Sequence, residues 1–184
     1  MKRIAISDAQ PESSLLWEYY QTQKQAVSLL RSNILNQPSS VPASLAARFF
    51  LLTDGKVNDY FANLSIEIDH QVCLNLIASA EAAIMVDFLN RVYDRTRSVV
   101  TRQFRELARR AEEENRRVRL DEILEIWLGH EGSPRKLIED FRAALNYRHW
   151  LAHGRYWNPK LGRDYDPMLI QDITVRLRSA LGIR

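Results

Sequence analysis

Apolar residues recur at spacings of three and four along most of the chain, and no alternating Val/Thr/Tyr run bounded by hairpin turns interrupts them. This pattern predicts helices nearly throughout. "SSLLWEYYQTQKQAVSLLRSNILN" (13–36) reads as a first helix, closed by the Pro- and Ser-rich "QPSSVPAS". "LAARFFLLTDGKVNDYFANL" predicts a shorter helix, a turn at Asp54-Gly55 and a helical or irregular connector. From Ile68 to Thr96 the pattern is apolar nearly all round, as in a helix at the centre of a core. Residues 99–117 form an amphipathic helix with Val100, Phe104, Leu107 or Ala108, and Ala111 inward; "LDEILEIWLG" forms another, ending at Gly129. Ser133 and Pro134 predict an N-cap and first-turn pair opening a helix that Gly154 stops. Asp166-Pro167 repeats the device for a last helix, Pro167 to Leu181, before Gly182.

The expected fold class is therefore all-α, a helical bundle. With 184 residues, 46% of them hydrophobic and only 6 Gly and 6 Pro, the chain suits a single domain with a proper core. Residues 1–65 are expected as an additional N-terminal helical segment and 66–184 as the core. The opening "MKRIAISDAQPESS" has no apolar stretch after its two basic residues, and no run approaches the ~18 uncharged apolar residues of a membrane span. A cytoplasmic protein without a membrane partner is expected. Cys73, the one cysteine, sits in an apolar run and is expected as a small buried hydrophobe.

A net charge of +3 is modest, but the arginines cluster: Arg95, Arg97, Arg102, Arg105, Arg109, Arg110, Arg116, Arg117 and Arg119 lie within one stretch. Balanced by Glu106, Glu112, Glu113 and Glu114, this zone is either a solvated helix face or a surface that tracks phosphates, with Arg102, Arg105 and Arg109 as its contacts.

The densest chemistry lies in "FRAALNYRHWLAHGRYWNPK" (141–160). At about 100° per residue, Leu137, Phe141, Ala144, Leu145 and Ala152 share a stripe with Arg148 in its middle, while His149 and His153 lie on the polar side with Arg142 and Asn146. A guanidinium in an apolar seam needs a partner, and Glu81 on the core helix can supply one. That pair by itself is accounted for as structure. It leaves unexplained why Arg148, His149, Trp150, His153, Arg155, Tyr156 and Trp157 fall so close together. "HWLAH" has the spacing of two metal ligands but lacks the glutamate of H-E-x-x-H, and no further grouping completes a site; no metal or cofactor is expected. No serine sits in a strand-to-helix turn to serve as a nucleophile. Phosphate chemistry remains: an imidazole exchanges protons near neutral pH, an arginine stabilises charge on a phosphoryl group, and the RNA 2′-hydroxyl is an internal nucleophile.

At these residues the sequence resembles the HEPN superfamily, whose signature is an arginine, a polar residue and a histidine four to six positions after the arginine, near a helix end. Arg148, His149, His153 and the following Gly154 match it. The resemblance implies a small helical bundle, usually a dimer, that cleaves RNA without a metal as a toxin or defence effector, with an antitoxin protein as a possible partner. It implies that Arg148 holds the scissile phosphate, His153 is the general acid or base, and His149 assists. Arg155 and Tyr156 are expected to touch RNA, and Glu81 to orient Arg148. Some members that pair with a nucleotidyltransferase antitoxin carry a tyrosine two residues after the histidine; Arg155 holds that place here. Many members are non-catalytic scaffolds or binding modules, and a metal-dependent hydrolase is a further alternative.

Arg148 and His153 are separated by about 140° and ~7.5 Å on a straight helix. Either the helix unwinds before Gly154, or a second copy packs across a two-fold axis so that two motifs surround one cleft. The second route predicts a homodimer through residues 141–157, with Trp150 and Trp157 as anchors.

Overall fold

The computed structural model describes residues 12–93 and 98–183. Among them the chain forms seven α-helices and no strand: α1 (Ser13–Asn36), α2 (Ala43–Ala46), α3 (Asp54–Tyr93), α4 (Val99–Glu113), α5 (Leu120–Leu128), α6 (Arg135–Ala152) and α7 (Pro167–Leu181). Arg95, Thr96 and Arg97 lie outside the described residues.

The axis of the bundle is α3, 40 residues and about 60 Å long at 1.5 Å per residue. It packs against α1, α4, α5, α6 and α7. Cys73, Ile77 and Ile84 from α3, Phe104 from α4, Ile123 and Leu124 from α5, Ile138, Phe141 and Ala144 from α6, and Ile170 and Leu177 from α7 are fully buried together. A smaller cluster, Phe49, Val57 and Phe61 packed against Val27, Leu30 and Ile34, ties α1 to the N-terminal end of α3. The boundary expected at residues 65 and 66 falls inside α3, so N-terminal segment and core share one helix. Lys24 of α1 reaches across to Asp69 (2.9 Å) and to the Ser65 hydroxyl.

Three local expectations are corrected. Asp54-Gly55 is no turn but the first turn of α3, because Thr53 acts as its cap: its carbonyl accepts the Val57 N–H at 3.0 Å and its hydroxyl faces the Lys56 N–H at 3.4 Å. At its far end α4 stops at Glu113 and not at 117. Asn115 takes the left-handed conformation (φ 49°), and the Arg116 N–H bonds back to the Ala111 carbonyl at 2.9 Å, a helix stop that an asparagine tolerates. Ser133 does not cap α6. Pro134 (φ −77°, ψ 63°) makes an inverse γ-turn, closed by the Arg135 N–H on the Ser133 carbonyl at 2.8 Å, so the helix starts one residue later and the Ser133 hydroxyl is left without a partner. By length and composition α3 is also apolar enough to cross a membrane, which a count of uninterrupted uncharged residues misses; 56% of its most apolar 18-residue window is buried by the other helices. The expected cap of α7 forms, the Asp166 carboxylate accepting from Leu169 N–H at 2.8 Å, and α4 has a cap of the same kind, the Ser98 hydroxyl accepting from Thr101 N–H at 3.0 Å.

Candidate functional site

Helix α6 presents its buried face, Ile138, Phe141, Ala144 and Tyr147, to the core and ends where the arginine and histidines begin to gather. His153 is its C-cap and still donates its N–H to the His149 carbonyl at 3.1 Å. Gly154 then takes φ +82°, and the Arg155 N–H closes the turn on the Trp150 carbonyl at 3.2 Å, the pairing of a Schellman stop. The indole N–H of Trp150 donates to the Trp157 carbonyl at 2.7 Å, folding the following loop back over the helix end.

Arg148 and Glu81 meet as the apolar seam requires, Nε to Oε2 at 3.3 Å, with side chains 37% and 25% exposed. The contact is an ion pair and not a well-aimed hydrogen bond, since the Arg148 Nε–H is buried yet finds no acceptor in line. Burial raises the Glu81 carboxyl above its ordinary value, and the opposing pull of the Arg148 charge is the smaller effect. Arg148 lies on the meridian of the buried face, but so near the helix end that the core leaves its guanidinium half open.

His149 and His153 are both exposed, with ring centroids 4.2 Å apart, and Trp157 lies 5.9 Å from His149. Within one chain two groups therefore form, Arg148 with Glu81 and His149 with His153. No hydrogen bond, ion pair or ring contact among the described residues joins the groups. The helix does not unwind early enough to carry His153 round to Arg148, because the His153 N–H remains in the helical pattern.

A third group was not anticipated. Arg155, which adopts φ +57° although it is not glycine, reaches Glu67 through both ends of its guanidinium (2.8 and 2.9 Å) and meets Nδ1 of His70 at 2.5 Å. The hydrogen bond from Arg155 holds the Glu67 carboxyl below its usual range, while burial, aided by the Arg155 charge, lowers His70. Expected as an RNA contact, Arg155 is thus engaged with α3. Glu67 fell just before the helix expected from Ile68 and His70 just inside it, so their pairing was not legible; on the continuous α3 they are neighbours i and i+3.

Tyr156 is 84% exposed, its ring 4.7 Å from that of Trp157. On α4, Arg102 is exposed, Arg109 pairs with Glu113 at 2.7 Å and Arg110 pairs with Glu106, while Arg105 reaches the Val92 carbonyl at 3.4 Å. The acidic balance expected of a solvated face is thus built into helical i,i+4 pairs. Cys73 is fully buried and its thiol is pushed up to about 12 by that burial. No group of three or more His, Cys, Asp or Glu among the described residues is arranged to hold a metal ion. Compared with protein-family models, curated proteins and solved structures, the chain finds no match in any of the three.

Proposed function

We propose that the protein is a metal-independent endoribonuclease of the HEPN kind, acting as a toxin or defence effector, in which two copies bring Arg148 of one and His153 of the other to a shared cleft. The observation that carries this reading is the division of labour at the end of α6: a half-open guanidinium loosely held by Glu81, and two exposed imidazoles on another side of the same helix. Arg148 binds the scissile phosphate and stabilises its developing negative charge. His153 takes the proton of the 2′-hydroxyl or delivers one to the leaving 5′-oxygen, with His149 beside it. The products are a 2′,3′-cyclic phosphate and a 5′-hydroxyl. Glu81 keeps Arg148 in place between turnovers. The contact between copies includes exposed residues of the 141–157 stretch, whose Phe141, Ala144 and Tyr147 are buried in the core of each chain, and an antitoxin protein is a partner of the toxin role.

A second reading, a non-catalytic HEPN scaffold or nucleic-acid-binding module, is favoured by one observation: Arg148 already has a carboxylate partner. Subunit mixing separates the two readings. Arg148→Ala and His153→Ala proteins are each expected to be inactive on RNA. In their mixed dimer, one intact arginine faces one intact histidine across the two-fold axis, so activity returns on mixing. Mixed dimers that form and remain inactive would overturn the shared cleft.

A further inference from the structure

Neither imidazole at the end of α6 has a hydrogen-bond partner among the described residues; apart from each other, the ring contact they make is that of His149 with Trp157. How the pair is aimed is therefore set by where residues 154–157 hold Trp157. That stretch has few restraints of its own. After the Arg155 N–H closes on the Trp150 carbonyl, no backbone–backbone hydrogen bond among the described residues holds 156–165, and the Trp157 carbonyl is held by the Trp150 indole. Gly154 and Arg155 take positive φ in succession (82° and 57°), and the second is a conformation that a residue with a Cβ adopts only at a cost. The side chain of Arg155 offsets it: the two terminal nitrogens meet both carboxylate oxygens of Glu67 at 2.8 and 2.9 Å, a planar fork on a planar acid that fixes direction as well as distance, and one of them also meets Nδ1 of His70. His70 in turn stands edge-on to Trp150 at 5.9 Å. Arg155 and Trp150, the two residues that hold this stretch, are thus both tied to α3.

We propose that Arg155 is a positioning residue of the ribonuclease site, clasped to Glu67 and His70 so that Trp157 stays against His149 and the His149–His153 pair keeps one orientation. This inference rests on the ribonuclease reading. A guanidinium whose fork is already filled by a carboxylate is not free for a phosphate, so Arg155 acts through Trp157 and not on the RNA. The side chains of Arg155 and Glu67 are 33% and 47% exposed, which lets water and salt weaken what the pair adds to folding stability. What the clasp supplies is direction. A reacting group misplaced by about 1 Å loses up to roughly 100-fold in rate, with no change in how the RNA is bound.

The test uses the full chain as wild type, Glu67→Gln, Arg155→Gln and the double substitution, with initial rates of cleavage of a labelled single-stranded RNA in EDTA measured across substrate concentration. Each variant is expected to fold and to lose about 10- to 100-fold in kcat with KM unchanged. The double substitution is expected to lose no more than either single one, because one cut opens the clasp. A direct RNA contact gives a different pattern: Arg155→Gln alone raises KM and lowers the slope of log K against log salt by about 0.7. That pattern, or folded variants with wild-type kcat, would overturn the positioning role. A second measurement needs no cleavage. Protons of the Trp157 and His149 rings are expected to show mutual nuclear Overhauser effects in the wild type that fade in Glu67→Gln and in Arg155→Gln; effects of equal strength in all three would overturn the hold of the clasp on the histidines. A wild type that cuts no RNA while these effects fade in the variants keeps the clasp and loses the ribonuclease reading; a wild type that cuts RNA, with kcat and the effects untouched by either substitution, does the reverse.

Discussion

How tightly Glu81 holds Arg148 decides whether the arginine can serve a phosphate at all. At 3.3 Å and an effective dielectric constant of about 20, the two charges attract by about 5 kcal/mol before costs. Against this stand the burial of the carboxylate and the 37% exposure of the guanidinium, which admits water and salt. With its Nε–H not aimed at the acid, the pair resembles exposed ion pairs, whose net worth is about 0.2–1 kcal/mol. Four proteins measure it: the wild type, Glu81→Gln, Arg148→Met and the double substitution, each unfolded in urea at pH 7. A coupling energy of about 1 kcal/mol or less is expected, shrinking further in 1 M salt.

The pH dependence has a definite sign. Because burial raises the Glu81 carboxyl in the folded state, its protonated form favours the fold; that stability is present below the ordinary carboxyl range and is lost as pH rises through the raised value. Glu81→Gln should therefore be neutral or stabilising at pH 7 and should flatten this limb of the curve. A coupling near 3 kcal/mol or above, insensitive to salt, would mean that Arg148 is sealed into a structural pair, and the catalytic role assigned to it would fall.

Three further outcomes follow from the same geometry. Gly154→Ala meets no atom within 4 Å, so its cost is backbone strain at φ +82° alone, about 1–2 kcal/mol; the melting temperature should fall by roughly 2–8 °C, and an unchanged value would refute the helix stop. The Glu67–His70–Arg155 clasp should loosen in acid, since both the carboxyl and the imidazole have lowered folded-state values: the contribution of His70 fades as pH falls below about 6.5 and that of Glu67 below about 4.5. Amide protection factors at 153–157, which already allow for the intrinsic pH dependence of exchange, should fall there in the wild type but not in a Glu67→Gln, His70→Asn protein, and pH-independent protection in the wild type would contradict it. Reversing Arg102, Arg105 and Arg109 to Glu should weaken RNA binding in a salt-dependent way with helicity retained, whereas unchanged binding returns α4 to a solvated face.

What could be read from the sequence was what local chemistry controls. Helices α1 and α7 run between the residues expected, because a Pro/Ser loop, an Asp-Pro cap and a glycine stop are short-range signals. The seam partner of Arg148 was also legible, since few acids lie on the core helix. Local signals misled where a competing local interaction was stronger: the Thr53 cap over an Asp-Gly turn, the γ-turn at Pro134 over a serine cap, and Asn115 over helical periodicity. The clasp on Arg155 was invisible for a different reason. Its partners are 88 and 85 residues away, and only the path of α3 brings them together.

Whether Arg148 and His153 cleave RNA is decided by incubating end-labelled single-stranded RNA with the purified protein in excess EDTA and identifying the new termini. Fragments ending in 2′,3′-cyclic phosphate and 5′-hydroxyl are expected, formed by the wild type and by neither Arg148→Ala nor His153→Ala. Intact RNA with the wild type, or cleavage that survives His153→Ala, would contradict it.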